Sequence, residues 1–275
     1  MHLVNKNRIS RIKSGILMAA ILIVAVFLPV NLFQIVMIPS LAGLVGSEWY
    51  VLCIDPHNGP IKYTERISVI ISIVLVTLGI NMLNITKNFI HLSAGIIILA
   101  IAVSLMLIQY TTTSIKPWLI EKQGYPKKIL VWLIFSLGFI VQQSAWLCIT
   151  QLQATTPVLL LWYIFLVCIA DSMGYVVGQS TISRKKIFVM SPNKTQYGTV
   201  GMLLSPVAIS GFISTNIHAF TWFVGILALI GDLWVSLVKR WADCKDTGDI
   251  IPGHGGLLDR VDSHIVVFAL LVWFL

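Results

Sequence analysis

Long apolar runs recur along nearly the whole chain, and this repetition constrains the fold more than any other feature. A helix that crosses a bilayer needs about 20 mostly apolar residues. Runs bounded by proline, glycine and charge give nine candidate spans, at residues 15–29, 32–50, 68–84, 91–109, 129–149, 158–170, 199–214, 219–238 and 264–275. With 57% apolar and 11% charged residues, the composition excludes ordinary soluble domains. The sequence therefore predicts an all-α protein, a polytopic bundle of about nine transmembrane helices.

The lysine and arginine residues provide an independent test of these spans. With nine spans in place, 18 of the 19 basic residues fall on one side, and Lys87 falls on the other. By the positive-inside rule, the side with the excess is the cytoplasm. We therefore expect a cytoplasmic N-terminus, and topology explains most of the net charge of +8 without a nucleic-acid partner.

Acidic residues are concentrated near the C-terminus. Seven of the eleven lie after residue 170. We therefore expect residues 1–157 to form an N-terminal transmembrane scaffold. Residues 158–275 are expected to form a catalytic transmembrane region with cytoplasmic loops at 171–198 and 239–263.

One acidic residue lies inside an apolar run. Asp232, Ser236 and Lys239 are spaced i, i+4 and i+7, so they share one face of the predicted eighth helix. A carboxylate at membrane depth costs about 3 kcal/mol or more unless it faces a polar cavity or a cation. The sequence therefore predicts a positive partner for Asp232.

A polar, glycine-rich loop follows this helix. Residues 252–256 offer little side chain and much free backbone N–H, which lets a phosphate approach closely. Asp259 and Asp262 then follow at i and i+3, where both can point to one spot. Taken singly, such features are typical of topology signals, turns and solvated acids. Together they predict a magnesium ion shared with substrate phosphates, with Asp232, Asp259 and Asp262 as ligands.

A second polar group precedes this region. Asp171 is followed by Gly174, Tyr175 and Gly178, and Ser191 begins the segment SPNKT that contains Lys194 and Thr195. On chemistry alone, Asp171 is a further candidate cation ligand, and Lys194 is a candidate point charge for a phosphate. The basic run 184–186 is more typical of a solvated positive-inside cluster.

At these positions the chain resembles the phosphatidate cytidylyltransferases, also called CDP-diglyceride or CDP-diacylglycerol synthases. The resemblance begins at Glu48 and Trp49 and is specific from Asp171 onwards. After Thr195 the family usually has an aromatic residue and then Glu, whereas this chain has Gln196 and Tyr197, so one acid is missing. The residues that match the family signature are Ser236, Lys239, Arg240, Lys245, Asp246, Gly248, Pro252, His254, Gly255, Gly256, Asp259, Arg260 and Asp262.

The resemblance implies that the chain makes CDP-diacylglycerol and pyrophosphate from CTP and phosphatidic acid. It implies magnesium as cofactor, with or without a monovalent cation beside it. The expected location is a bacterial inner membrane with the active site facing the cytoplasm, and a homodimer is one of the assemblies it allows. The candidate catalytic residues are Asp232, Ser236, Lys239, Arg240, Asp246, His254, Asp259, Arg260 and Asp262. The candidate nucleotide-binding residues are Asp171, Ser191, Lys194, Thr195, Lys245, Gly255 and Gly256.

Two other functions fit the same residues. A CTP-dependent polyprenol or phytol kinase would transfer the γ-phosphoryl group of CTP to a lipid alcohol. A membrane relative without catalytic activity, such as a lipid transporter, would need none of the acids for chemistry. The products formed from labelled CTP distinguish these alternatives.

Overall fold

The computed structural model describes residues 20–54, 63–85, 126–180, 191, 194–213, 220–248 and 255–271. The fold is a bundle of helices, and the described ranges contain no β-strand. Within these ranges, residues 20–26 are helical and seven longer helices follow. They are α1, which joins an α-helical turn at Val30–Leu32, a π-helical segment at Phe33–Met37 and an α-helix at Ile38–Ile54; α2, Tyr63–Ile85; α3, Pro126–Thr155; α4, Pro157–Ser180; α5, Gln196–Ile213; α6, Thr221–Trp241; and α7, Leu258–Leu271.

The helices confirm the predicted all-α class. Among the residues that the structure describes, three stretches are long and apolar enough to cross a membrane, namely Val30–Cys53, Pro157–Ser180 and Thr221–Trp241. The predicted span at 91–109 lies outside the described residues. Side chains on the outer surface are often large and apolar, as at Val24, Ile140, Val158, Leu204 and Trp222. Such a surface is typical of helices that face lipid.

The predicted loops are too long. Helix α4 continues to Ser180, so Asp171 lies inside a helix and not in the expected loop at 171–198. At the other end of that loop, α5 already begins at Gln196. The expected loop at 239–263 is likewise bounded by the end of α6 at Trp241 and the start of α7 at Leu258. The apolar pattern predicted the helix ends at the wrong residues, because polar residues at the site belong to the helices and extend them.

Local chemistry explains several helix ends. Proline occupies the first position of α3 and of α4, where its missing N–H costs nothing. The Thr195 hydroxyl accepts a hydrogen bond from the N–H of Gly198 at 3.2 Å and so caps α5. Helix α6 ends in a turn in which the N–H of Cys244 donates to the carbonyl of Lys239 at 3.0 Å.

Two close helix contacts bring the polar residues together. Helices α4 and α5 cross at Gly198, where a Cβ would lie 2.5 Å from the carbonyl oxygen of Gly174. Helices α6 and α7 touch at Gly231, where a Cβ would collide with the backbone of Asp262. Small residues allow such close approach in membrane bundles. The second contact sets Asp232, the next residue along α6, beside Asp262.

Candidate active site

A cavity of about 270 Å³ opens between α4, α5 and α6. Five of the candidate catalytic and nucleotide-binding residues line it together, although they come from three separate segments. These five are Asp171, Ser191, Lys194, Thr195 and Asp232. The other lining residues are Gly174, Tyr175, Gly198, Thr199 and Met202. The structure thus joins the two polar groups of the sequence into one pocket.

Asp232 has the positive partner that its position in an apolar helix requires. Its Oδ2 lies 2.5 Å from Lys194 Nζ, and Ser236 Oγ donates to its Oδ1 at 3.2 Å. The side chains of Lys194 and Asp232 are 18% and 26% exposed, so the pair is sheltered yet reachable from the cavity. A charge pair in this setting can receive an anionic ligand, because the ammonium can exchange a carboxylate for a phosphate oxygen.

Two further acids lie beside this pair. Asp262 interacts electrostatically with Asp232 and with Asp171. Asp171 accepts a hydrogen bond from Ser263 Oγ at 3.2 Å, which ties α4 to α7. Three acids from three helices therefore lie in one region. Lys194 also interacts electrostatically with Asp171. Ser263 was not anticipated, because a serine next to an acid carries no sequence signal of its own.

Asp259 has a different environment from the other acids. Its Oδ1 accepts from Lys239 Nζ at 2.8 Å, and its Oδ2 accepts from the N–H groups of Thr247 and Gly256 at 2.8 and 3.1 Å. The residue lies in the first turn of α7, before the predicted span at 264–275. Burial raises the pKa of Asp259, but these hydrogen bonds outweigh burial, so the pKa lies below its usual value. Asp259 therefore ties the end of α6 to the loop and to α7.

The expected magnesium ligand set is not assembled. In the part of the chain that the structure describes, no three His, Cys, Asp or Glu side chains are placed to hold a metal ion together. Both oxygens of Asp259 are taken by protein donors, whereas Asp232 and Asp262 lie with Asp171. Magnesium binding by Asp232, Asp259 and Asp262 remains a prediction, and Asp171 is in a better position than Asp259 to join the other two acids.

The glycine pair has a packing role that differs from the expected phosphate-binding role. Gly255 has φ of +80°, a left-handed conformation that favours glycine. The N–H of Gly256 is already donated to Asp259. A Cβ at Gly256 would collide with Thr247 Oγ1 and lie 2.5 Å from Glu48 Oε2. Close packing inside the protein thus explains Gly256 without a bound phosphate.

This packing gives a direct test. Gly256→Ala should lower the free energy of unfolding by about 1 to 3 kcal/mol, because the added methyl group overpacks a buried polar contact. Gly248→Ala is the matched control, since its Cβ would meet Glu48 Oε1 at 3.1 Å, a contact that a small shift relieves. Thermal unfolding of the two purified variants and the parent chain in detergent measures the stability of each. Equal stability of Gly256→Ala and the parent chain would contradict this packing role.

Among the described residues, the remaining candidates lie at the protein surface. The side chains of Arg240, Lys245, Asp246 and Arg260 are exposed. Arg240 Nη1 lies 3.5 Å from the carbonyl oxygen of Cys244, close to the end of α6. His254 lies outside the described residues, as does the basic run 184–186. The roles predicted for these residues stay predictions.

Comparison with known proteins gives an independent result. A family model described as "Cytidylyltransferase family" matches residues 9–275. The phosphatidate cytidylyltransferase of Bacillus subtilis (strain 168) is 36% identical over 128 residues, which are 42% of this chain and 48% of that protein. The enzyme of the same name from Helicobacter pylori (strain J99) is 32% identical over 134 residues, 42% of this chain and 49% of that protein. The one from Staphylococcus aureus (strain COL) is 36% identical over 121 residues, 41% and 46% of the two chains. The alignments therefore span about half the length of these curated relatives.

Proposed function

Because this chain belongs to the cytidylyltransferase family, we propose that it joins CTP to phosphatidate, giving CDP-diacylglycerol and pyrophosphate. The relatives named above are phosphatidate cytidylyltransferases, which supports this choice of substrates. The observation that carries the proposal is the pair of Lys194 and Asp232 in the wall of a cavity lined from three helices. A sheltered cation among acids suits a reaction between two phosphate compounds.

The proposed reaction is an in-line substitution at phosphorus. An oxygen of the phosphatidate phosphate forms a bond to the α-phosphorus of CTP, and the bond from that phosphorus to the β-phosphate oxygen breaks. Pyrophosphate leaves with the electron pair. Both reactants are anionic, so the barrier is largely charge repulsion and the charge that develops on the leaving group. Lys194 would hold a phosphate oxygen, and Ser236 would orient Asp232 toward the cavity.

The acids around the cavity fit a divalent cation. Asp262 interacts electrostatically with Asp232 and with Asp171, and magnesium is usually held by one or two carboxylates together with substrate phosphates, so a cluster of three protein ligands is not required. We infer that Asp232 and Asp262 would hold the ion, with Asp171 beside them. Magnesium would neutralise phosphate charge and orient the triphosphate. Lys239 would remain with Asp259 and add positive charge close to Asp262.

The proposed topology follows the charge distribution. We propose nine spans, a cytoplasmic N-terminus and an active site at the cytoplasmic surface of a bacterial inner membrane. The positive-inside rule supports this orientation, since 18 of 19 basic residues fall on one side of such a topology. Residues 1–157 would act as scaffold and residues 158–275 as the catalytic region, with the lipid tails between helices. A homodimer is compatible with this arrangement.

Labelled CTP tests the reaction. The full chain in detergent, supplied with phosphatidate and magnesium, should release the γ-label of CTP in pyrophosphate and transfer the α-label to lipid. Label from the γ-position in lipid would show a kinase and refute the proposal. Absence of any nucleotide-dependent product, in protein that unfolds cooperatively on heating, would favour a membrane relative without catalytic activity.

A further inference from the structure

Glu48 is a buried acid that connects distant parts of the chain. It lies in α1 and is 0% exposed. Its Oε2 accepts from Thr247 Oγ1 at 3.0 Å and from the N–H of Leu258 at 2.7 Å, and its Oε1 accepts from the N–H of Leu257 at 3.0 Å. The partners are 199 to 210 residues away in sequence. Helix α1, part of the predicted scaffold, is thus hydrogen-bonded to the start of α7.

The donors that Glu48 binds are those that a helix leaves unpaired. The first N–H groups of a helix have no partner within it, and they carry partial positive charge. Leu258 is the first residue of α7, and Leu257 precedes it. Burying an acid is costly unless hydrogen bonds compensate, and here three donors do so. Glu48 therefore caps α7 from another helix, a role that capping residues usually fill from the same chain segment.

The next residue, Trp49, anchors this turn of α1 to two other helices. Trp49 is 1% exposed, and its Nε1 donates to the carbonyl of Phe135 in α3 at 3.1 Å. Its ring meets Trp234 of α6 edge to face, with centroids 5.5 Å apart, and it packs directly on Gly138. Trp234 is two residues from Asp232. The turn of α1 that carries Glu48 is therefore anchored to the same helix that carries the cavity acid.

The segment held by Glu48 positions two site acids. Asp259 and Asp262 lie one and four residues after Leu258, and Gly256 is packed against Glu48 itself. A shift of the helix start would move both acids relative to Lys239 and Asp232. We propose that Glu48 is a positioning residue, which sets the start of α7 so that these two acids face α6 correctly; its effect on catalysis rests on the function proposed above.

Glu48→Gln is the test, because the amide keeps the shape but presents a donor to groups that already donate. We expect hydrogen–deuterium exchange in residues 255–262 to become at least about tenfold faster. The kcat for CDP-lipid formation should fall about 10- to 100-fold, as for residues that act through their neighbours. The KM for CTP should change less than kcat, because Lys194 and the other cavity residues that would contact the nucleotide lie outside 255–262.

Two other variants complete the experiment. Ser47→Ala is the matched control, since Ser47 is buried in the same turn and donates only to Leu44 within α1 at 2.8 Å; it should leave exchange and kcat unchanged. Thr247→Val removes one of the three donors and should give a smaller effect of the same kind. If Glu48→Gln does not fold, the test rests on Thr247→Val. Unchanged hydrogen–deuterium exchange at 255–262 in that variant would overturn the proposal.

Faster exchange with kcat unchanged would also overturn it. A parent chain without CDP-lipid formation would refute the proposed function, while the exchange comparison would still report whether Glu48 holds α7.

Discussion

Replacing Asp232 with Asn is expected to lower the rate of CDP-lipid formation by about 1,000-fold, the scale on which loss of one preorganised polar group acts in an active site. The change keeps the size of the side chain and its hydrogen bond with Ser236, but removes the charge that faces Lys194. It also weakens repulsion with Asp262 and Asp171. The fold should therefore survive, so the loss would report on chemistry.

The measurement compares kcat and the thermal unfolding midpoint of Asp232→Asn with those of the parent chain. Ser236→Ala serves as a graded comparison, because it removes the hydrogen bond and leaves the charge; we expect a loss of about tenfold or less. A variant Asp232→Asn that keeps more than about a tenth of the parent rate would rule out the Lys194–Asp232 cavity as the active site.

Lys239→Met is expected to lower the free energy of unfolding by about 2 to 4 kcal/mol. The Lys239 and Asp259 side chains are only 13% and 8% exposed, so removing the ammonium leaves a sheltered acid without its charged partner. Asp259 also holds the N–H groups of Thr247 and Gly256, so the loop and the start of α7 should loosen with it. Activity should fall as well, because the same segment carries Asp262.

A double-mutant cycle separates pairing from other effects. The variant with both Lys239→Met and Asp259→Asn should be less destabilised than the sum of the single variants by about 1 to 3 kcal/mol, since it contains no unpaired charge. Chemical unfolding of all four proteins in detergent gives the coupling energy. Additive single effects would mean that the 2.8 Å contact contributes nothing to stability.

The sequence predicted which residues belong to the site better than it predicted which groups each of them contacts. The cost of an acid in an apolar run correctly required a cation for Asp232, and Lys194 occupies that position. The spacing of Asp259 and Asp262 suggested that both face one ion, yet protein donors occupy both oxygens of Asp259. Helical spacing tells which residues share a face, but it does not tell which neighbouring helix lies opposite that face.

The same reasoning explains why the loop ends were misplaced and why the packing role of Gly256 was not predicted. Asp171 interrupts the apolar pattern of α4, so the pattern ended the helix there, although the helix continues to Ser180. Gly255 and Gly256 resembled a phosphate-binding loop because glycine occurs both where the backbone is free to bind a ligand and where it is closely packed. The sequence alone does not distinguish these two cases. The contact between Gly256 and Glu48 that distinguishes them joins residues about 200 positions apart.

The amino-acid sequence by itself determined the helical membrane architecture, the concentration of acids after residue 170 and the motif that marks the family. These properties depend on local periodicity, hydrophobicity and spacing, which are readable without a fold. The tertiary structure alone decided that Lys194 pairs with Asp232, that Lys239 pairs with Asp259 and that Glu48 caps α7. The reason is physical: a buried charge is stabilised by whichever donors the packing of distant helices brings within about 3 Å, and helix packing is not encoded by spacing along one segment.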